Sequence, residues 1–88
     1  MIRYSTASEN DIAEIAEYTT DRWGEVQADK YVADLSRCFE HIEKTPGLGR
    51  SFPEIHPALY RMEHHQHVVF YLPEPSGVFI CRVLHNGC

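Results

Sequence analysis

The chain has 88 residues and a mass of 10.2 kDa, which bounds it to one small domain, residues 1–88. Hydrophobic residues at 43% and aromatics at 11% suffice for a core and exclude a disordered chain, and no apolar run is long enough for a membrane span. Eight basic against 13 acidic residues leave a net charge of −5, which argues against generic attachment to a phosphate backbone.

Ile2 to Ser5 reads as a short strand, and Met1 to Thr6 lacks the long apolar run of a secretory leader. Ser8, with Asp11 three residues on, predicts a helix start of capping-box type. Ile12, Ile15, Ala16, Thr19 and Trp23 then line one helical face, which Gly24 ends. A second helix is predicted from Glu25 to Lys44, with its stripe at Ala28, Tyr31, Leu35, Cys38 and Ile42. So short a break implies an antiparallel helical hairpin. Pro46 to Pro57 reads as loop, with Leu48 and Phe52 tucked beneath it.

Three strands are predicted to follow: Leu59 to His65, His67 to Leu72, and Val78 to Leu84, the last two joined by a turn at Pro73 to Gly77. The expected fold is α+β in the order βααβββ, a small antiparallel sheet with the N-terminal helical hairpin packed on one face. The last two strands are apolar on both faces, and helices can cover only one. Val69, Tyr71, Val78, Ile80 and Leu84 are therefore expected to leave a surface that a protein partner covers.

The charge is uneven. Residues 1–44 hold ten acids and five bases, while residues 45–88 hold three of each and five of the six histidines. Contacts with an anionic partner are expected from the second half. Cys38, Cys81 and Cys88 form no C-x-x-C pair, and reduced thiols in the cytoplasm are the expected state. No dinucleotide, P-loop or zinc-finger motif is present, and the His64-His65-x-His67 run lacks a second ligand group at metal spacing. No cofactor or metal is expected.

Arg82 interrupts an apolar strand, where a charge requires a carboxylate partner or a working surface. Arg61 can lie near it across the sheet, and His85 follows. If the chain turns near Val83, Arg61 and Arg82 can hold a phosphate with His85 as general acid and Glu54 or Glu63 as base. The three residues are the candidate target-binding set, and in that alternative the catalytic set.

Asp21-Arg22-Trp23-Gly24-Glu25, Ala28, Tyr31, Pro46-Gly47-Leu48-Gly49-Arg50, Leu59-Tyr60-Arg61, His67 to Tyr71 and Arg82-Val83-Leu84-His85 occur in one order. That ordered set resembles the ParE branch of the RelE/ParE toxin superfamily of bacterial type II toxin–antitoxin modules, over residues 9–85. The resemblance implies the βααβββ fold and a cytoplasmic protein that traps DNA gyrase on cleaved DNA by binding, without chemistry of its own. It implies a hetero-oligomer with a ParD-like antitoxin, whose flexible tail lies along the domain, and no membrane or sequence-specific nucleic-acid contact. The RelE branch instead cleaves mRNA on the ribosome. Arg61, Arg82 and His85 sit where YoeB-type ribonucleases place catalytic Arg and His, but lysines are only Lys30 and Lys44, and Asn86-Gly87-Cys88 contains no tyrosine. A third expectation is a homologue that keeps the fold and the antitoxin contact but has lost toxicity, since ParE-like chains often run a few residues further.

Overall fold

The computed structural model describes residues 1–85, so Cys88 and the Asn86-Gly87-Cys88 tail lie outside the described residues. The elements run β1 (Ile2–Tyr4), α1 (Thr6–Trp23), α2 (Glu25–Lys44), a 3₁₀ turn (Pro46–Leu48), β2 (Arg50–Ser51), β3 (Tyr60–His64), β4 (His67–Glu74) and β5 (Gly77–His85). The α+β order expected from sequence is observed, with a two-residue strand added inside the expected loop.

α1 starts earlier than the sequence pattern suggests. Ser5, not Ser8, is the cap: its Oγ accepts the Ser8 N–H at 2.9 Å. Ser8 is fully buried and donates its hydroxyl to the Ser5 carbonyl, and Asp11 points toward the sheet rather than back at the helix start. Gly24 separates the helices at φ +90°, where a side chain is strained; its N–H caps Thr20 while its carbonyl accepts from Ala28. Trp23, expected on the buried stripe, is 67% exposed at the last residue of α1, while Ile15 of that stripe is buried and Ile12, Ala16 and Thr19 are half-buried.

The sheet has the order β1-β5-β4-β3-β2. β3 to β5 form the expected antiparallel meander, β2 extends it antiparallel to β3, and β1 joins parallel to β5, with Ile2, Arg3 and Tyr4 opposite Val78, Phe79 and Ile80. The mixed edge arises because β1 runs straight into α1, whose own packing on β5 fixes the strand's direction. Three residues are too few to carry that orientation in their pattern.

β5 contains a bulge. Phe70 and Tyr71 are consecutive on β4 but face Arg82 and Ile80, so Cys81 has no partner. Alternation therefore shifts by one: Val78, Ile80 and Val83 point under the helices, while Arg82 and Leu84 are exposed. The predicted face Val78/Ile80/Arg82/Leu84 is broken at that point.

The core lies between the hairpin and one sheet face, with Ile15, Leu35, Cys38, Phe39 and Ile42 against Val69, Tyr71, Val78, Ile80 and Val83. Cys38 is buried there, as a small hydrophobe. Tyr71 also ties down the loop: its hydroxyl donates to the Pro46 carbonyl at 2.6 Å and accepts the Gly49 N–H at 2.9 Å. A Cβ at Gly49 would sit 2.7 Å from that hydroxyl and 2.6 Å from the Arg61 carbonyl, so only glycine fits. Phe52 is half-buried as expected, but Leu48 is exposed, because the 3₁₀ turn swings it outward.

Candidate functional site

Arg82 is the single charge on an apolar strand, and it is paired. Its Nε and Nη2 donate to Asp11 Oδ2 and Oδ1 at 2.8 and 3.0 Å, a two-pronged contact. The Val83 N–H donates to the same Oδ2 at 3.0 Å. β1 stops opposite Ile80, so from Val83 onward the edge of β5 is faced by α1 and not by a strand. Asp11 supplies the acceptor a neighbouring strand would have provided. The Arg82 guanidinium, opposed by burial and helped by the Val83 N–H, holds the Asp11 carboxyl below the usual carboxylate range.

Arg61 faces the same side of the sheet. Arg50, Arg61, Phe70 and Arg82 are successive partners across β2, β3, β4 and β5, so they form one row on the face opposite the helices. Phe70 stands between Arg61 and Arg82, which separates their strands by about 10 Å. Arg61 also lies over the Phe52 ring, 5.5 Å from its centroid. Arg3 belongs to this face as well, over Phe79 at 4.6 Å and bonded to Glu74. The open face thus carries four of the six arginines around Phe52, Phe70, Leu72 and Phe79.

His85 is turned away from Arg82. It lies edge-on to His67, with ring centroids 5.6 Å apart, on the helix side of the sheet. Arg82 and His85 both border a cleft of about 490 Å³ between α1 and the β5 edge, together with Asp11, Glu14, Tyr18 and Leu84. Each is engaged with a different neighbour, and Arg61 is not part of that cleft. The residues read from sequence as one triplet are not brought to one point.

The five residues expected to meet a partner need correction. Val69, Tyr71, Val78 and Ile80 are each 0% exposed, because the helices cover the face that carries them. Only Leu84, at 38%, reaches the surface. The uncovered apolar surface lies elsewhere. One part is the open sheet face. The other is a groove of about 400 Å³ along the hairpin, lined by Tyr4, Ile12, Ala16, Val32, Leu35 and Phe39.

Asp11 was missed by sequence reasoning as a site residue, although a signal exists. It shares a helical face with Ser8 and Ile15, spaced 3 and 4, so an acid lay on a buried stripe in a chain with one arginine on an otherwise apolar strand to match. Among the described residues, no group of three or more His, Cys, Asp or Glu is placed to hold a metal ion.

Residues 2–87 match the family model described as ParE toxin of type II toxin-antitoxin system, parDE. Toxin ParE1 of Mycobacterium tuberculosis is 33% identical over 83 residues, spanning 93% of this chain and 85% of that protein. Toxin ParE1 of Caulobacter vibrioides is 35% identical over 85 residues, spanning 97% and 88%. A solved structure titled as a chromosomal ParDE TA system from P. aeruginosa superposes with a TM-score of 0.80, covering 98% of this chain and 95% of that one. At 15% identity it bears on the fold alone.

Proposed function

The chain belongs to the ParE toxin family of type II toxin–antitoxin systems, and from that premise we propose that it inhibits DNA gyrase by binding and is neutralised by a ParD-like antitoxin. The observation that favours binding over catalysis is the dispersal of the candidate triplet. Arg82 is bound to Asp11, Arg61 lies on Phe52 and His85 packs on His67. A metal-free phosphodiester cleavage needs its acid, base and anion clamp within hydrogen-bond reach of one phosphate. Gyrase and the antitoxin are both cytoplasmic proteins, and no helix among the described residues is long and apolar enough to cross a membrane.

The antitoxin tail is assigned to the groove along the hairpin. The helices, residues 6–44, carry ten acids and four bases, so the occupant is an amphipathic segment with apolar anchors and basic flanks. Ala16→Trp fills the groove. It is expected to abolish neutralisation by the antitoxin while the toxin's effect on gyrase persists.

Gyrase supercoiling and cleavage assays, run beside ribosome-dependent mRNA cleavage, test the target. Trapped gyrase with intact mRNA is expected. Cut mRNA with untouched gyrase overturns the reading in favour of a RelE/YoeB-like ribonuclease. Antitoxin binding with neither activity identifies a homologue that has lost toxicity. Within the active outcome, Arg82→Ala is expected to reduce toxicity more than Arg37→Ala, whose guanidinium only pairs with Asp34 on the exposed face of α2.

A further inference from the structure

Four of the six histidines gather at one end of the sheet around Tyr31 of α2. The Tyr31 ring lies 5.4 Å from His67, 6.0 Å from His64 and 6.1 Å from His65. His64 and His65 are 4.6 Å apart, and His85 meets His67 edge-on. The Tyr31 hydroxyl is 2.5 Å from His67 Nδ1, and it also reaches toward the His64 carbonyl at 3.5 Å. His64 Nε2 is buried without a hydrogen-bond partner, and His65 holds the turn between β3 and β4 at φ +54°.

His64, His65 and His67 take no part in the proposed target or antitoxin contact. We propose that the cluster is a proton-operated latch, which holds the β3–β4 turn on α2 while His67 is neutral and releases the turn on acidification. Neutral His67 offers Nδ1 as an acceptor for the Tyr31 O–H. Protonation makes both ring nitrogens donors, so the contact persists only with Tyr31 as acceptor and its own proton turned to the more distant His64 carbonyl, while the half-buried ring gains a charge. The new charge also faces His64 on β3 and His85 on β5.

The other charged groups at this end give little relief. From α2 come Lys30, of like sign, and Asp34, which is bonded to Arg37. α1 contributes Tyr18 and Glu14, the latter already accepting from Asn10, and on β5 Arg82 is held by Asp11. Burial first, then His85 and His64, place the His67 pKa below the ordinary imidazole value. Burial and His65 do the same to His64, against a smaller opposing pull from Asp34. For a base depressed in the folded state, stability is full above the unfolded value of about 6.5 and declines as pH falls toward the folded one. The latch therefore weakens through the mildly acidic range.

Amide exchange at residues 64–67, measured by NMR on the full chain at about pH 7.5 and about pH 5.5 together with imidazole titrations, tests this. Protection factors at the turn are expected to fall about tenfold or more, while those at Val69 and Ile80 stay level. Tyr31→Phe removes the hydrogen bond and is expected to show low turn protection at both pH values. His67→Gln is the second variant, expected to lose most of the pH dependence. Parallel loss at the turn and in the core, or an unchanged pH response in both variants, overturns the latch.

Discussion

Asp11 satisfies two neighbours of different kinds, a guanidinium and a strand N–H, from a position that is 7% exposed. A carboxylate in that position is stable only while both contacts hold. Asp11→Asn keeps the shape but loses the charge-assisted bonds, and it is expected to lower stability by about 1–3 kcal/mol at neutral pH in urea unfolding. The same carboxyl gives a pH signature. Its folded value is depressed, so its contribution is present above the unfolded carboxylate value of about 3.9 and is lost as pH falls through the lower folded value. The Asn variant is expected to lack that acid-limb slope, seen by comparing melting curves between about pH 5 and about pH 2.

The loop from Pro46 to Gly49 and the strand β5 show what the residue pattern carries and what it conceals. The loop is readable: proline and glycine after an amphipathic stripe stop the helix where it does stop, at Lys44. The reason glycine is needed at 49 is not readable, because Tyr71 arrives from 22 residues away. Gly49→Ala is expected to cost about 1–3 kcal/mol, since the hydroxyl and a strand carbonyl must both move. Tyr71→Phe is expected to be destabilising as well, by leaving the Gly49 N–H without its acceptor. Thermal melts of the two variants and their double mutant test the shared origin, with the combined loss smaller than the sum.

Helix existence and strand order were legible because burial imposes periods of 3.6 and 2 on the residues that carry them. The choice of buried face was not. Val69 and Tyr71 alternate correctly with Val68 and Phe70, but both sets are apolar, so alternation alone does not say which set the hairpin covers. The bulge at Cys81 hid the facing of Arg82 for a similar reason, since an unpaired residue leaves no mark on composition. The candidate triplet followed from that concealment. Arg61 and Arg82 do share a face, whereas His85 belongs with His67.

For the whole molecule, the net charge of −5 separates by layer. The hairpin layer holds ten of the 13 acids, and the open sheet face holds four arginines. Two of those arginines are matched locally, Arg3 by Glu74 and Arg82 by Asp11, so the net charge is concentrated on the hairpin, and that layer is the one that would steer a basic partner. If a basic antitoxin tail docks on the hairpin, raising ionic strength from about 0.05 M to about 0.5 M is expected to slow its association at least several-fold. Dissociation is expected to change much less. Stopped-flow kinetics at varied salt separates the two rates.

The unpaired Cys81 also bears on how this strand tolerates changes of length. Deleting it would leave Ile80 inward, Arg82 outward and Val83 inward, so no side chain downstream would change face. A gap at this position is therefore the natural way to align a relative whose last strand is one residue shorter. Such a deletion has one local consequence. The Cys81 carbonyl accepts the Ser5 hydroxyl at 2.6 Å, so shortening the strand would keep the faces and unhook the start of the first helix.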